Sequence, residues 1–352
     1  MIDWTKSMTQ TYEFYKVDPN TWKDTERIHT IESCTINRDE SSETLGSASL
    51  NGSEALEEGY VRIYLSVNQN GEELKVPLAT VMVQTPSTSF DGKRYSISMD
   101  AYTPLIEMKE SYPSIGYSLL KGQKILEIAS DICREKLRAP VIEAKSTDTL
   151  YADFVANIDD TWLSFVRDLV ANAKRKLYLD PLGQLLFEID SDVASLQPVW
   201  IFNDGNSSIL LPTLKDDRDL YGVPNVVEVI YSTNEAMLFS RIVNDDPNSP
   251  ISTVNRGREI VYRESSPKFS GKPTQTYLDE YATQLLRNKS CLEHTITYSH
   301  GYCPVRVGDC VLLNYERANV KNVKAKVISQ SIKCDTGCTV EETAVYTTRL
   351  WR

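Results

Sequence analysis

"DDTWLSFVRDLVANAKRKLYLDPLGQLLFEID", residues 159–190, changes its period partway along. Trp162, Phe165, Val166, Leu169 and Ala173 recur at helical spacing and share one face. Asp160 or Thr161 can cap that helix, because a short polar side chain accepts from the first free backbone N–H groups. Lys174, Arg175 and Lys176 fall in its last turn, where positive charge suits the helix dipole. "LYLDPLGQLLFEI" then reads as two short strands around a Pro-Leu-Gly turn. Upstream, "GQKILEIASDICREKL" (122–137) puts Ile125, Ile128, Ala129, Ile132 and Leu137 on one stripe, and Pro140 stops the helix. Residues 105–213 are therefore expected to form a small α+β module.

The flanks have a different period. In "YVRIYLSV" (60–67), Val61, Ile63, Leu65 and Val67 alternate with Tyr60, Arg62, Tyr64 and Ser66, as half-buried antiparallel strands do. Asn70-Gly71 and Asp91-Gly92 accept the positive φ angles of tight hairpin turns, and Pro77 predicts an edge or a bulge. From residue 214 the chain returns to strands, interrupted by a helix over 273–289 that carries Tyr277, Leu278, Tyr281 and Leu285 on one side. In "DRDLYGVPNVVEVIYS" (217–232), Val226, Val227, Val229, Ile230 and Tyr231 run almost without a polar break. Such a strand needs cover on both faces. Helix 273–289 or a neighbouring subunit can supply it, and the sequence leaves both open.

The chain has 352 residues, enough for two or three domains, and a formal net charge of −11. That charge argues against nucleic acid or anionic membrane as the main partner, since phosphate binding needs a basic face. The seven cysteines include no Cys-x-x-Cys, and His29, His294 and His300 form no zinc pattern with them, so free thiols in a reducing cytoplasm are expected. No signal-peptide core opens the chain, and no stretch approaches the ~18 apolar residues of a membrane span. The acidic pairs Asp159–Asp160, Asp216–Asp217, Asp245–Asp246 and Glu341–Glu342 are sequence neighbours, which does not report the facing carboxylates of glycoside hydrolysis. His294 is placed in a strand and His300 in the turn after it, as satisfied or solvent-exposed side chains. Gly271-Lys272 and Gly92-Lys93 lack the rest of a phosphate loop. "CDTGC" (334–338) reads as a hairpin turn at Thr336-Gly337.

With these elements in place, "DTWLSFVRDLVANAKRKLYLDPLGQLLFEI" resembles the helix and x-Asp-x-x-Gly hairpin of phage tail and baseplate central hub proteins. That family includes the T-even hub and the N-terminal part of siphophage tail-associated proteins. "DLYGVPNVVEVIY" (219–231), "SRIVNDDPNSPISTVNRGREIVYR" (240–263), "VRVGDCVLLNY" (305–315) and "KAKVISQSIKCDTG" (324–337) resemble later stretches in the same order. The resemblance covers most of the chain through short degenerate words. It implies a β-rich α+β fold: a first tube-forming β-barrel-like domain over 1–104, the module over 105–213, and a second such domain over 214–352. It implies a homotrimeric, pseudo-sixfold ring joining the tail tube or distal tail protein to a central spike or tip protein. The tape measure would end inside, and DNA would pass without specific binding. No cofactor, metal or catalytic residue is implied. Val227, Val229, Tyr231 and Trp351 are the expected interface residues. A tail-associated peptidoglycan hydrolase and a receptor- or carbohydrate-binding tip module are the competing readings.

Overall fold

The computed structural model describes residues 2–93, 95–189, 191, 193–205, 208–232, 237–265, 267 and 273–351. It divides into two compact units. The first runs to Leu214 and resumes over Tyr298–Ala344; the second is Lys215–Thr297 with Val345–Arg352.

The first unit is built on strands β1 (Thr9–Val17), β2 (Asp24–Ile28), β3 (Ile31–Asp39), β4 (Gly46–Gly52), β5 (Gly59–Gln69), β6 (Glu72–Phe90) and β7 (Tyr95–Tyr102). Helix α1 (Ile106–Lys109), the short pair β8 (Ser118–Leu119) and β9 (Phe154–Val155), and helices α2 (Ile125–Lys136) and α3 (Trp162–Ala171) follow. Next come β10 (Arg175–Leu179), β11 (Leu185–Ile189), β12 (Pro198–Asn203) and β13 (Leu210–Arg218), which continues into the second unit. Late in the chain lie β17 (Cys291–Gly301), β18 (Cys310–Tyr315), β19 (Val320–Lys333) and β20 (Thr339–Arg349). The sheet runs β20-β19-β3-β4-β7-β6-β5-β1-β2, with β18 also on β19 and β12 parallel to β18. Thus β19, near the end of the sequence, pairs antiparallel with β3, near its start.

Alternation along β5 sends Val61, Ile63, Leu65 and Val67 into one core with Leu50, Leu78, Met99 and Ile332. The other face is not wet as expected: Tyr60, Arg62 and Tyr64 are buried too. Tyr60, Trp22 and Met82 form a second core with α2, α3 and β11, contributed by Leu126, Ile132, Phe165, Val166, Leu169 and Phe187. The helical module is thus the lid on the sheet's second face, so β5 is apolar or paired throughout. Asn70 and Gly71 have φ 53° and 86°, as the β5–β6 turn requires. Pro77 sits opposite a register shift at Ile63/Tyr64, where β7 has not yet joined β6.

Thr161, rather than Asp160, caps α3, with its hydroxyl accepting from Ser164 N at 3.1 Å. The helix ends at Ala171, so Arg175 and Lys176 stand in β10 and not in a last helical turn. The cause is visible at Lys174, whose φ of 53° turns the chain out of the helix early.

The second unit holds β14 (Val226–Ser232), β15 (Met237–Val243), α4 (Thr253–Arg256), β16 (Val261–Ser265) and α5 (Gln275–Lys289), besides its share of β13, β17 and β20. β14 is the centre of a three-stranded sheet, antiparallel to β15 and parallel to β16. Thr274 caps α5 through a hydrogen bond from Tyr277 N.

Candidate functional site

The strand left open by the sequence has a definite surrounding. Val227 and Val229 have no exposed surface and pack on Leu278, Ala282 and Leu286 of α5. Helix α5 of the same chain is therefore their cover. Tyr231 and Trp351 pack at the margin of this cluster and stay partly exposed, and the Arg287 guanidinium lies 5.7 Å from the Trp351 ring centre. The opposite face of β14 is not uniformly apolar: Glu228 accepts from Arg241 at 2.9 Å and from Arg263 at 2.7 Å. Those bonds hold the Glu228 carboxyl below the ordinary carboxylate range.

In the first unit the most closely joined polar cluster surrounds the β10–β11 turn, Asp180-Pro181-Leu182-Gly183. Asp180 closes the turn, its carboxylate accepting from Gln184 N at 2.8 Å. The Leu182 carbonyl accepts from Trp22 Nε1 at 2.7 Å and Arg62 Nη2 at 3.2 Å, and the Pro181 carbonyl from Thr80 at 3.2 Å. Arg62 is buried and anchored to Asp24 at 2.7 Å. Gly183, at φ +76°, lies so close that a Cβ there would stand 2.9 Å from Thr80 Cβ and 3.0 Å from Trp22 Cζ2. The Asp-x-x-Gly word is thus a plug seated in the sheet. Sequence reasoning found the turn but not its socket, since Trp22, Asp24, Arg62 and Thr80 are scattered through β-rich text.

A second buried network joins Arg38, Gln330, Glu342, Tyr298 and His300. Arg38 donates to Gln330 at 2.9 Å, Gln330 reaches Glu342, and Tyr298 donates to Glu342 at 2.6 Å. Burial and the facing carboxylate push the Tyr298 hydroxyl well above its usual range. His300 lies within β17 rather than in a turn; its Nδ1 donates to the Gly301 carbonyl at 2.7 Å. In the second unit, His294 Nδ1 is 3.1 Å from Asp216, and its ring stacks on Tyr346 at 4.3 Å. His294 Nε2 is buried and meets no hydrogen-bond partner among the described residues.

The members of the acidic pairs have separate partners, some local and some, as at Asp216 and Glu342, distant in sequence. Asp160 accepts from Asn157 N, Asp217 pairs with Lys215, Asp246 accepts from Asn248 N, and Glu342 is buried while Glu341 is exposed. Among the described residues no cluster of three or more His, Cys, Asp or Glu could hold a metal, and no helix is long and apolar enough to cross a membrane. Gly271 and Lys272 lie outside the described residues. A recess of about 80 Å³ opens beside the plug, lined by Arg38, Leu78, Thr80, Tyr178 and Arg306.

Two strand surfaces stand exposed among the described residues. In β12, Val199 and Ile201 are each 53 % exposed, and among the described residues the strand pairs with β18 alone. β4 accompanies β7 only as far as Ile97, so β6 and β7 run on as a short two-stranded tip, Ser89–Phe90 against Tyr95–Ser96. Residues 85–90 are exposed on both faces, and Phe90 stacks on Tyr95 at 4.6 Å near the tip.

No protein-family model and no curated protein sequence matches the chain. Solved structures do. The tail protein from Neisseria meningitidis MC58 superposes with a TM-score of 0.63 at 12 % identity, over 97 % of this chain and 98 % of that one. The prophage MuSo2 43 kDa tail protein from Shewanella oneidensis gives 0.62 at 13 %, over 96 % and 98 %. A chain of the Francisella PdpA-VgrG complex gives 0.54 at 9 %, over 97 % of this chain but 58 % of that one. At these identities the likeness is one of architecture, and on that measure the chain has the fold of phage tail proteins.

Proposed function

We propose that this protein is a structural subunit of a phage tail or baseplate hub, in which three copies close into a ring between the tail tube and the central spike or tip. The observation that carries the proposal is the match, end to end in both chains, to the Neisseria tail protein. The exposed apolar edge at β12 and the β6–β7 ribbon support it, because an isolated two-stranded ribbon is only marginally stable in water and gains from being covered. The ring is built by edge and ribbon contacts. Tyr231 and Trp351 add to them at the rim of the α5 cluster, while Val227 and Val229 act from beneath by fixing α5. The segments 1–104 and 214–352 serve as the two tube-like halves, with the α+β module of 105–213 between them in the chain and its last strands, β12 included, joined to the main sheet. The protein works by assembling and not by catalysis, and it resides in the virion. Its net charge of −11 suits a wall that DNA passes without sticking.

The test is the oligomeric state by light scattering, together with pull-down of the tail-tube and spike proteins encoded beside it. A trimer, or a chain that trimerises on either partner, is expected. A monomer that ignores both, or clearing of peptidoglycan in a zymogram, overturns the reading.

A further inference from the structure

Seven thiols are free among the described residues, and two of them face each other across neighbouring strands. β3 and β19 run antiparallel in the register Ile36↔Ile332 and Thr35↔Lys333. One step further along the ladder stand Cys34 and Cys334. The backbone confirms the pairing, since Cys334 N donates to the Cys34 carbonyl at 2.9 Å. Directly opposed residues of antiparallel strands have Cα atoms about 4.5–5.5 Å apart, inside the roughly 4.4–6.8 Å that a disulfide spans. The two side chains sit at one end of the first unit's core, where Cys34 is buried and Cys334 is partly exposed. The third thiol nearby, Cys338, lies beyond the Asp335 turn and is buried against Tyr12.

We propose that Cys34 and Cys334 are a latent cross-strand disulfide site, closed by a small dialkyl disulfide such as oxidised glutathione. Cys334, the more accessible, loses its proton and attacks one glutathione sulfur. A protein–glutathione S–S bond forms, the glutathione S–S bond breaks, and the departing glutathione thiolate takes the proton. Cys34 then attacks Cys334 Sγ: the protein disulfide forms, the mixed disulfide breaks, and a second glutathione leaves as the thiol. Two protein thiols are oxidised and one glutathione disulfide is reduced to two thiols. The bond would tie the third strand of the chain to its second-last. The hydrogen bond with Cys34 and burial hold the Cys334 thiol far above its ordinary range, so closure is slow at neutral pH and quickens as pH rises. A chain made in a reducing cytoplasm therefore stays open, and one released into oxidising surroundings locks.

The experiment uses the full chain. Purified protein is held with oxidised glutathione at pH 8, then alkylated, digested without reduction and mapped by mass spectrometry. The expected product is a peptide of Cys34 linked to a peptide of Cys334. It should be accompanied by a rise of roughly 5 °C or more in the unfolding midpoint that dithiothreitol reverses. Cys338→Ser should keep both results. Cys34→Ser should stop at the glutathione adduct on Cys334. If Cys34 is still alkylatable in unfolded, oxidised wild-type protein, or if Cys334 links to Cys338 instead, the site does not exist. That wild-type map decides the matter even if a variant fails to fold.

Discussion

Gly183 bears more of this fold than its lack of a side chain suggests. Alanine there must adopt a left-handed φ and push its Cβ against Thr80 and Trp22. We expect Gly183→Ala to destabilise the first unit by about 2–4 kcal/mol, read from denaturant midpoints. Arg62 belongs to the same socket. Arg62→Ala removes the charged partner of Asp24, which keeps only the Tyr64 hydroxyl, and one donor each from the Trp22 and Leu182 carbonyls, and should cost about 2–4 kcal/mol. Arg62→Lys should recover little of it, because a single ammonium cannot span the same fork. Glu40 contributes to acid behaviour in the same unit. Burial raises its pKa, but hydrogen bonds from Lys176 at 2.7 Å and Lys326 at 3.0 Å outweigh it and leave the carboxyl below its ordinary 4.5. A carboxylate depressed on folding contributes stability above its unfolded pKa and loses it as pH falls through the folded one. Glu40→Gln should therefore lower stability at pH 7 and flatten the decline below about pH 4.5 in pH-dependent melts.

At the scale of elements, α5 is the piece that turns a nearly unbroken apolar strand into a core. Leu278→Ala opens a cavity between α5 and β14 and should cost about 2–5 kcal/mol. Hydrogen exchange should then quicken over 226–232 and 275–289 while the β3–β7 amides stay protected. How much of this the sequence revealed varies from one element to the next. Helices α2, α3 and α5 and the strands β5, β14 and β19 were legible because each carries its own period or an unbroken apolar run. Strands β12, β13 and β16 were not, since β12 leaves Val199 and Ile201 in solvent although it buries Phe202, and β13 is mostly charged or exposed. The plug turn was legible as a turn through Asp180 and Gly183. Its socket was not, because Trp22, Arg62 and Thr80 lie between 101 and 160 residues away from it and share no spacing. For the same reason the facing of Cys34 and Cys334 depends on strand order, which no local pattern records.

At the scale of the whole molecule, the exposed edge and ribbon are where assembly should be sensitive. Val199→Asp with Ile201→Asp should leave the monomer's melting point within about 2 °C of the parent, since both side chains already meet solvent. If the proposed ring forms and β12 closes it, the same pair should leave only monomer in light scattering. The order of elements also bears on how the molecule is made. The partner of β3 is β19, and 280 residues, 40 to 319, lie between the end of β3 at Asp39 and the start of β19 at Val320. A ribosome therefore delivers the front half of the first unit long before the strand that completes it. Throughout that interval the open side of β3 is a template for any passing strand, and a nascent chain released early would be drawn to aggregate rather than to wait.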